Sequence, residues 1–366
     1  MPPTRLLMIG GFLGAGKTTA IARAARHYLE DGRQVGMVMN DQASGLVDTE
    51  QLRAQGFRVG EVPGACFCCN FDDLVDTLAG LADDARPDII LTEPVGSCTD
   101  LVATVIEPLR RIHGDAYEIG PFVVLCKPEH GRRILSGRSA GFSPQAAYIF
   151  HKQLEEADVL VVNKTDKLTA AERDELVGLV RRHCPEKTVL AASARTGDGF
   201  DAVLDALAEP GPQHDRPMVV DYDRYAAGEA ELGWLNATAT VCVGEVDGVF
   251  ALDDLLIGLV TRLHDRLTDA SAETAHLKAL ASCPAGTAIA NAVESGSPPE
   301  LSRPSGAMTS TAELIINARV RIDPGELTEH VRAAAADEIG ERNLTLDWSP
   351  IQSFRPGRPA PTHRVE

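Results

Sequence analysis

From residue 5 to about 209, short apolar runs alternate with segments whose apolar residues recur at helical spacing. The apolar runs lie at 6–9, 35–39, 89–92, 122–125, 159–162 and 189–191, and they rarely alternate with polar residues. Such runs suit strands covered on both faces, as in a parallel sheet between layers of helices. The intervening segments 18–30, 72–81, 98–111, 146–156, 170–183 and 200–207 predict helices. Together they predict an α/β domain over residues 1–212. Pro, Gly and charged residues then break the pattern, and 213–235 reads as a linker. Over 236–352 the order is strand, helix, three strands, helix, strand, a smaller α+β domain. Its strands are expected at 238–243, 276–280, 288–293, 314–322 and 344–348, and its helices at 251–267 and 326–339. Residues 295–311, rich in Ser, Pro and Gly, predict a loop, and the Pro-containing tail 353–366 an extended segment.

The first apolar run leads into Gly-Gly-Phe-Leu-Gly-Ala-Gly-Lys-Thr-Thr, residues 10–19, and a helical segment leads out. Gly11 to Thr18 satisfies the G-x-x-x-x-G-K-[ST] phosphate-loop pattern in the strand–loop–helix context it requires. Glycine lets successive N–H groups turn into one anion-binding concavity, and the helix N-terminus adds partial positive charge. The predicted phosphate cradle is Gly11, Gly14, Ala15, Gly16, Lys17, Thr18 and Thr19. Lys17 is placed for the β- and γ-phosphates and the Thr18 hydroxyl for Mg²⁺.

Later strands narrow the nucleotide. Asn163-Lys164-Thr165-Asp166 directly follows the run at 159–162. A carboxylate such as Asp166 can accept from both N1–H and the 2-amino group of guanine, and adenine lacks that donor pair. Asn163 can tie this loop to the phosphate loop, and the Lys164 stem can cover the base. Ser193 and Ala194, with Arg195, follow the next run and resemble the S-A-K loop that backs guanine in GTPases. The expected ligand is therefore GTP rather than ATP. The run at 89–92 ends in Glu93, a position for a carboxylate that holds Mg²⁺ or orients water. Gly96 can offer its N–H to a γ-phosphate, and Asp41, after the second run, is a second acid. The predicted catalytic set is Lys17, Glu93 and Asp41.

Charge and cysteine content change the picture further. With 35 basic and 53 acidic residues the net charge is −18, which argues against nucleic-acid and anionic-membrane partners. No apolar run approaches the roughly 18 residues of a membrane span and no signal sequence is expected, so the expected location is cytoplasmic. There the 8 cysteines should stay reduced. Cys66, Cys68 and Cys69 fall within four residues. As thiolates they suit Zn²⁺ or Cu(I), and less selectively Co²⁺ or Ni²⁺, with Zn²⁺ expected first and Co²⁺ next. A fourth ligand must come from water, another residue or a second subunit, which makes a homodimer one expectation. An open position suits an ion that must be released. The remaining cysteines read as small buried residues, with Cys98 set apart because it follows Glu93-Pro-Val-Gly. The dispersed histidines, His151 and His363 among them, read as surface or packing residues.

These residues in this order resemble the CobW family, in the metal-linked GTPase group with HypB and UreG. The resemblance rests on Gly11–Thr19, Cys66-x-Cys68-Cys69, Glu93 with Gly96, Asn163–Asp166, and Gln153 with Ala157-Asp158. It implies a slow GTPase that binds a transition metal at the thiols and hands it to a metalloprotein or cofactor-assembly client. Three departures stand out: Gly64 lies one residue further from the thiols than in G-C-x-C-C, Cys126-Lys-Pro-Glu stands where many members carry Asp, and Asn40-Asp41-Gln42 replaces Asn-Glu-Phe. The rival readings are a metal-gated regulator or enzyme activator without ion transfer, and a P-loop kinase.

Overall fold

The computed structural model describes residues 2–84, 86–137, 143–214, 218–244, 248–292 and 298–366. Two compact units share the chain. The first is Met1–Gln42, Gly56–Gly228 and Arg358–Glu366; the second is Ala43–Gln55 and Glu229–Gly357.

The first unit is built on β1 (Thr4–Gly11), β2 (Val35–Asn40), β3 (Arg58–Val62), β4 (Ile89–Glu93), β5 (Tyr117–Ile119), β6 (Val123–Cys126), β7 (Val159–Val162) and β8 (Thr188–Ala191). Seven lie in the order β3-β2-β4-β1-β6-β7-β8, and β5 pairs with β1. Every pairing is parallel. The inner strands are buried along their whole length, as continuous Val/Ile/Leu runs require. This is the P-loop NTPase-type sheet flanked by helices that the alternation predicts.

The sequence pattern does not announce β3 or β5. β3 sits at the sheet edge, its first four residues only partly buried, with Arg58, Gly60 and Glu61 interrupting the apolar cue. β5 has 3 residues, too few to show a period. The helix expected from residue 98 starts later. Asp100 takes a left-handed φ of 66°, then Val102–Ile106 forms a π-helical turn and Glu107–His113 an α-helix. Helices at Pro128–Leu135 and Tyr222–Glu229 were not expected, the latter inside the segment read as a linker. Residues 215–217 of that segment lie outside the described residues.

The second unit carries a fully antiparallel sheet. Its strands are β9 (Gly233–Val243), β11 (Glu273–Cys283), β12 (Gly286–Ala292), β13 (Glu300–Arg303), β15 (Thr311–Arg321), β16 (Leu344–Trp348) and β17 (Gln352–Phe354). The order is β13-β12-β11-β15-β9-β16, with β17 also on β9. A separate ribbon pairs β10 (Phe250–Ala251) with β14 (Met308–Thr309). β13 and β14 thus fall in the stretch read as a loop; Val293 and residues 294–297 lie outside the described residues. Period-two alternation splits the sheet faces. Leu277, Ala279, Leu314, Ile316 and Ala318 pack with the helices Leu252–Asp269 and Pro324–Glu341. Leu280, Ile289 and Ile315 face the other way and pack with Val47, from the helix Val47–Arg53. Among the described residues no helix is long and apolar enough to cross a membrane.

A buried cation fixes the middle of this sheet. Arg319 is 2% exposed, lies 4.2 Å over the Trp234 ring, and donates to Leu235 O, Asn236 Oδ1 and Ala318 O. Arg319→Leu would leave those acceptors desolvated. The expected result is a loss of about 2–4 kcal/mol, given the weight of buried hydrogen bonds to charged groups, read as a lower urea midpoint. An unchanged midpoint would contradict this.

Candidate nucleotide site and thiol cluster

Two glycines show why the loop after β1 needs its sequence. Gly11 has φ 134°, and a Cβ there would meet Leu125 O at 2.5 Å; Gly16 has φ 94°, and its Cβ would meet Asn163 Nδ2 at 2.6 Å. Any side chain at either position would push the loop off its neighbours. Lys17 opens the following helix, Lys17–Glu30, so the loop's N–H groups stand at a helix N-terminus. Lys17 Nζ lies 3.7 Å from Glu93 Oε1, and Thr18 Oγ1 donates to the same oxygen at 3.3 Å. All three side chains are buried. Gly96 approaches so closely that a Cβ would lie 3.0 Å from Lys17 Nζ and 2.8 Å from Leu13 Cδ2. The structure thus brings Lys17, Thr18, Glu93 and Gly96 together. Thr18 and Glu93 offer hard oxygen donors that fit Mg²⁺. Thr19, on the first helical turn, is exposed.

Asn163 joins the phosphate loop to the two loops beside it. Its Nδ2 donates to Ala15 O at 2.8 Å, and its Oδ1 accepts from Ala194 N at 2.9 Å. Lys164 takes a left-handed φ of 60°, and its stem reaches to 3.8 Å from where a Gly16 Cβ would stand. Asp166 Oδ1 accepts from Ser193 Oγ at 2.7 Å, and its Oδ2 lies 3.7 Å from Arg195 Nε. One residue here escapes any motif. Arg23, on the Lys17–Glu30 helix, donates to Ala194 O at 2.6 Å and Arg195 O at 2.8 Å. It locks the Ser193–Arg195 loop to the helix that the phosphate loop opens.

The thiols form a cluster whose scaffold starts at the end of β2. Asn40 is 5% exposed; its Nδ2 donates to Val62 O at 2.8 Å and Ala65 O at 2.7 Å, and its Oδ1 accepts from Phe67 N at 2.9 Å. The backbone then turns tightly, with Cys69 N and Asn70 N both donating to Cys66 O. Sγ–Sγ distances are 2.8 Å for Cys66–Cys68, 3.4 Å for Cys66–Cys69 and 3.7 Å for Cys68–Cys69. The three sulfurs lie within 4.8 Å of one another. Asp41, partly buried, follows Asn40 on a strand separated from β1 by β4, and its N–H donates to Val62 O at 3.4 Å.

Hydrogen bonding sets the cluster's electrostatics. Bonds from Cys68, then Cys69 and Cys98, hold the Cys66 thiol well below the ordinary range against the opposing effect of burial. The same bonding, with burial, pushes Cys68 well above that range and Cys69 up to about 11. Three clustered sulfurs make a soft donor set. Cys98, set apart in sequence by its place after Gly96, is buried, and its N–H donates to Val95 O at 2.9 Å.

The tail, extended as expected, lies across the thiol loop. Thr362 N donates to Cys68 O at 2.8 Å and Thr362 Oγ1 to Cys69 O at 3.1 Å, while Ala360 N donates to Cys69 Sγ at 3.3 Å. The His363 ring meets Phe71 edge-on at 4.8 Å, a packing role. Arg364 Nε donates to Asp100 Oδ2 at 2.8 Å, and Tyr222 OH donates to the same oxygen at 2.7 Å. The sequence names Asn40 only within Asn40-Asp41-Gln42, without its bonds to the thiol loop, and the tail carries no motif.

A parallel sheet whose first strand feeds a glycine loop, a buried lysine and a helix N-terminus defines a P-loop nucleotide-binding protein. The family model "CobW/HypB/UreG, nucleotide-binding domain" matches residues 5–191, and the chain belongs to that family. It is 27% identical over 286 residues to a zinc chaperone CobW of a Sinorhizobium species, covering 68% of this chain and 78% of that protein. It is 31% identical over 173 residues to the zinc chaperone YeiR of Escherichia coli strain K12, covering 45% and 48%. Among solved structures, Zn(II)-bound YjiA GTPase from E. coli is similar with TM-score 0.36 and 16% identity, over 92% of this chain and 99% of that one. HypB from Helicobacter pylori in complex with nickel is similar with TM-score 0.39 and 15% identity, over 55% and 84%.

Two outcomes follow from this geometry. Asn40→Ala removes two hydrogen bonds from the thiol loop, to Ala65 O and from Phe67 N, and one from the end of β3, to Val62 O, and none from the phosphate loop. Zinc affinity, measured by chelator competition, should fall at least about tenfold, with nucleotide affinity within about twofold of the parent. Equal loss of both would show that Asn40 holds the whole edge. The second concerns Glu156, fully buried, which accepts from Thr99 Oγ1 at 3.0 Å and Val102 N at 3.3 Å. Burial raises its pKa from 4.5 to about 8. A folded-state value above the unfolded one means that the proton favours the fold. That stability is present below about 4.5 and is lost as pH rises through about 8. Glu156→Gln should flatten the fall of Tm between pH 5 and 8.5, and parallel curves for parent and variant would rule this out.

Proposed function

We propose that the protein is a GTP-binding, GTP-hydrolysing metallochaperone. It carries a transition metal at Cys66, Cys68 and Cys69, Zn²⁺ first and Co²⁺ second, and delivers it to a metalloprotein client under nucleotide control. The observation that carries the reading is three sulfurs within 4.8 Å of one another in a P-loop chain of this family. The zinc-chaperone relatives support zinc as the cargo.

In this reading Gly11, Gly14, Ala15, Gly16, Lys17, Thr18 and Thr19 cradle the phosphates. Asp166 reads guanine, Lys164 covers it, and Asn163, Ser193 and Ala194 hold the reading loop. Thr18 and Glu93 would hold Mg²⁺, which supplies positive charge against the phosphate oxygens. Lys17 offsets charge developing on the γ-phosphate, Gly96 offers its N–H there, and Glu93 or Asp41 orients the attacking water. Asn40 links the strand end beside Asp41 to the thiol loop, which supports coupling between nucleotide and metal. Useful coupling amounts to about 1–3 kcal/mol.

The test is a zinc titration of the full chain with GTP, a slowly hydrolysed GTP analogue, GDP and no nucleotide. It is repeated on the Cys66→Ser, Cys68→Ser, Cys69→Ser triple variant. The parent should bind one zinc with affinity shifted about 5–150-fold between nucleotide states, and the triple variant should lose that site while still binding GTP. Equal affinity in all states would leave a metal-bound GTPase without nucleotide-controlled delivery. Separately, Asp166→Ala should weaken GTP at least about a hundredfold with little effect on ATP; equal effects on both would remove guanine selectivity.

A further inference from the structure

Residues 358–366 lie extended over the thiol loop, with the period of two that extended backbone imposes. Pro359 is buried and Pro361, His363 and Val365 are partly buried, while Ala360, Thr362 and Arg364 are exposed. Three of the segment's bonds fall on two adjacent residues. Thr362 N donates to Cys68 O, Thr362 Oγ1 to Cys69 O and Ala360 N to Cys69 Sγ. Asn40 holds the other half of the loop, through Ala65 O and Phe67 N. Cys66 and Cys68 are buried, and Cys69 is the partly exposed member of the cluster. The segment therefore lies on the sulfur that an incoming donor reaches first. Past the thiols it is latched twice more. Val365 N donates to Ala103 O at 2.9 Å, and Arg364 donates to Asp100 Oδ2 at 2.8 Å and Met218 O at 3.0 Å.

We propose that residues 358–366 are a strap that gates the thiol cluster, and that the strap must detach from Cys68 and Cys69 before an ion held there passes to an acceptor. This rests on the metallochaperone reading above and adds the control on release from its thiol site. Closed, the strap spends a Cys69 Sγ lone pair on the Ala360 N–H and covers that sulfur. Open, it leaves Cys69 to exchange. Transfer then replaces the Cys69–metal bond by a bond to a donor atom of the acceptor, and the freed sulfur takes a proton from solvent. Each strap bond on the thiol loop is individually modest, and the segment faces solvent, so it can open locally while the sheet stays folded.

Alkylation and zinc exchange on the full chain test this. In the metal-free, reduced protein, Ala360→Pro and Thr362→Pro each delete an N–H on the thiol loop. Iodoacetamide should label Cys69 at least about tenfold faster in both than in the parent, read by mass spectrometry of the Cys69 peptide. Zinc loaded on the same variants should pass to a competing chelator faster by a similar factor. Arg358→Ala, which breaks only an exposed ion pair with Asp223, should match the parent in both measurements. Unchanged Cys69 labelling in both proline variants would overturn the strap, and faster labelling with unchanged zinc exchange would overturn its role as a gate. Amide hydrogen exchange on the parent decides the matter even where a proline variant folds poorly. The Thr362 and Val365 amides should exchange together and well before those of β7, and exchange as slow as β7 would show that the strap opens only on global unfolding and overturn the proposal. The Cys66, Cys68, Cys69 triple variant separates the two readings. Zinc retained there at parent affinity sinks the thiol metal site, whereas zinc lost there but exchanged from the proline variants at the parent's rate sinks only the gate.

Discussion

Parallel pairing makes every strand of the first unit finish at one edge of its sheet. β1 ends in the phosphate loop, β2 in Asn40, β4 in Glu93, β7 in Asn163 and β8 in the Ser193 loop. Residues up to about 180 positions apart become neighbours because of this shared polarity. The rest of the site is a set of short ties across that edge. Asn163 and Arg23 bind the base-side loops to the phosphate loop and its helix, and Asn40 binds the thiol turn to the end of β2. Buried amides suit this role, since each offers a donor and an acceptor in fixed geometry and costs most when left unpaired.

The thiol cluster and the phosphate loop differ in how they are kept in place. The phosphate loop is fixed by close approach, with glycines packed against carbonyl and amide atoms, so it tolerates almost no change. The thiol loop is fixed by hydrogen bonds to one asparagine and to a distant tail, which can be exchanged one at a time. That division sets a rigid phosphate grip against a thiol loop held by separate, replaceable bonds.

The strands with continuous apolar runs were legible in sequence because burial on both faces leaves no polar residue in them. β3 and β5 were not, since an edge position and a three-residue length erase that cue. Gly11–Thr18, Asn163–Asp166 and the clustered cysteines stood out because their chemistry needs fixed spacing. The ties made by Asn40, Arg23 and the tail did not, because most of their partners are backbone atoms far along the chain and any sequence supplies those. The chain's weaving was also hidden, since the helix Val47–Arg53 serves the second unit's sheet through Val47 and through Val47 N donating to Asn317 Oδ1.

The tail across the thiols sets an order of events during synthesis. Arg358–Glu366 belongs to the first unit, yet it leaves the ribosome after every residue of the second. The phosphate loop, Asn40 and all three clustered cysteines are made long before the Ala360 and Thr362 amides that cover them. A nascent chain therefore presents bare thiols until the second unit has been translated. Protection of these thiols is thus a matter for the growing polypeptide as well as for the finished one.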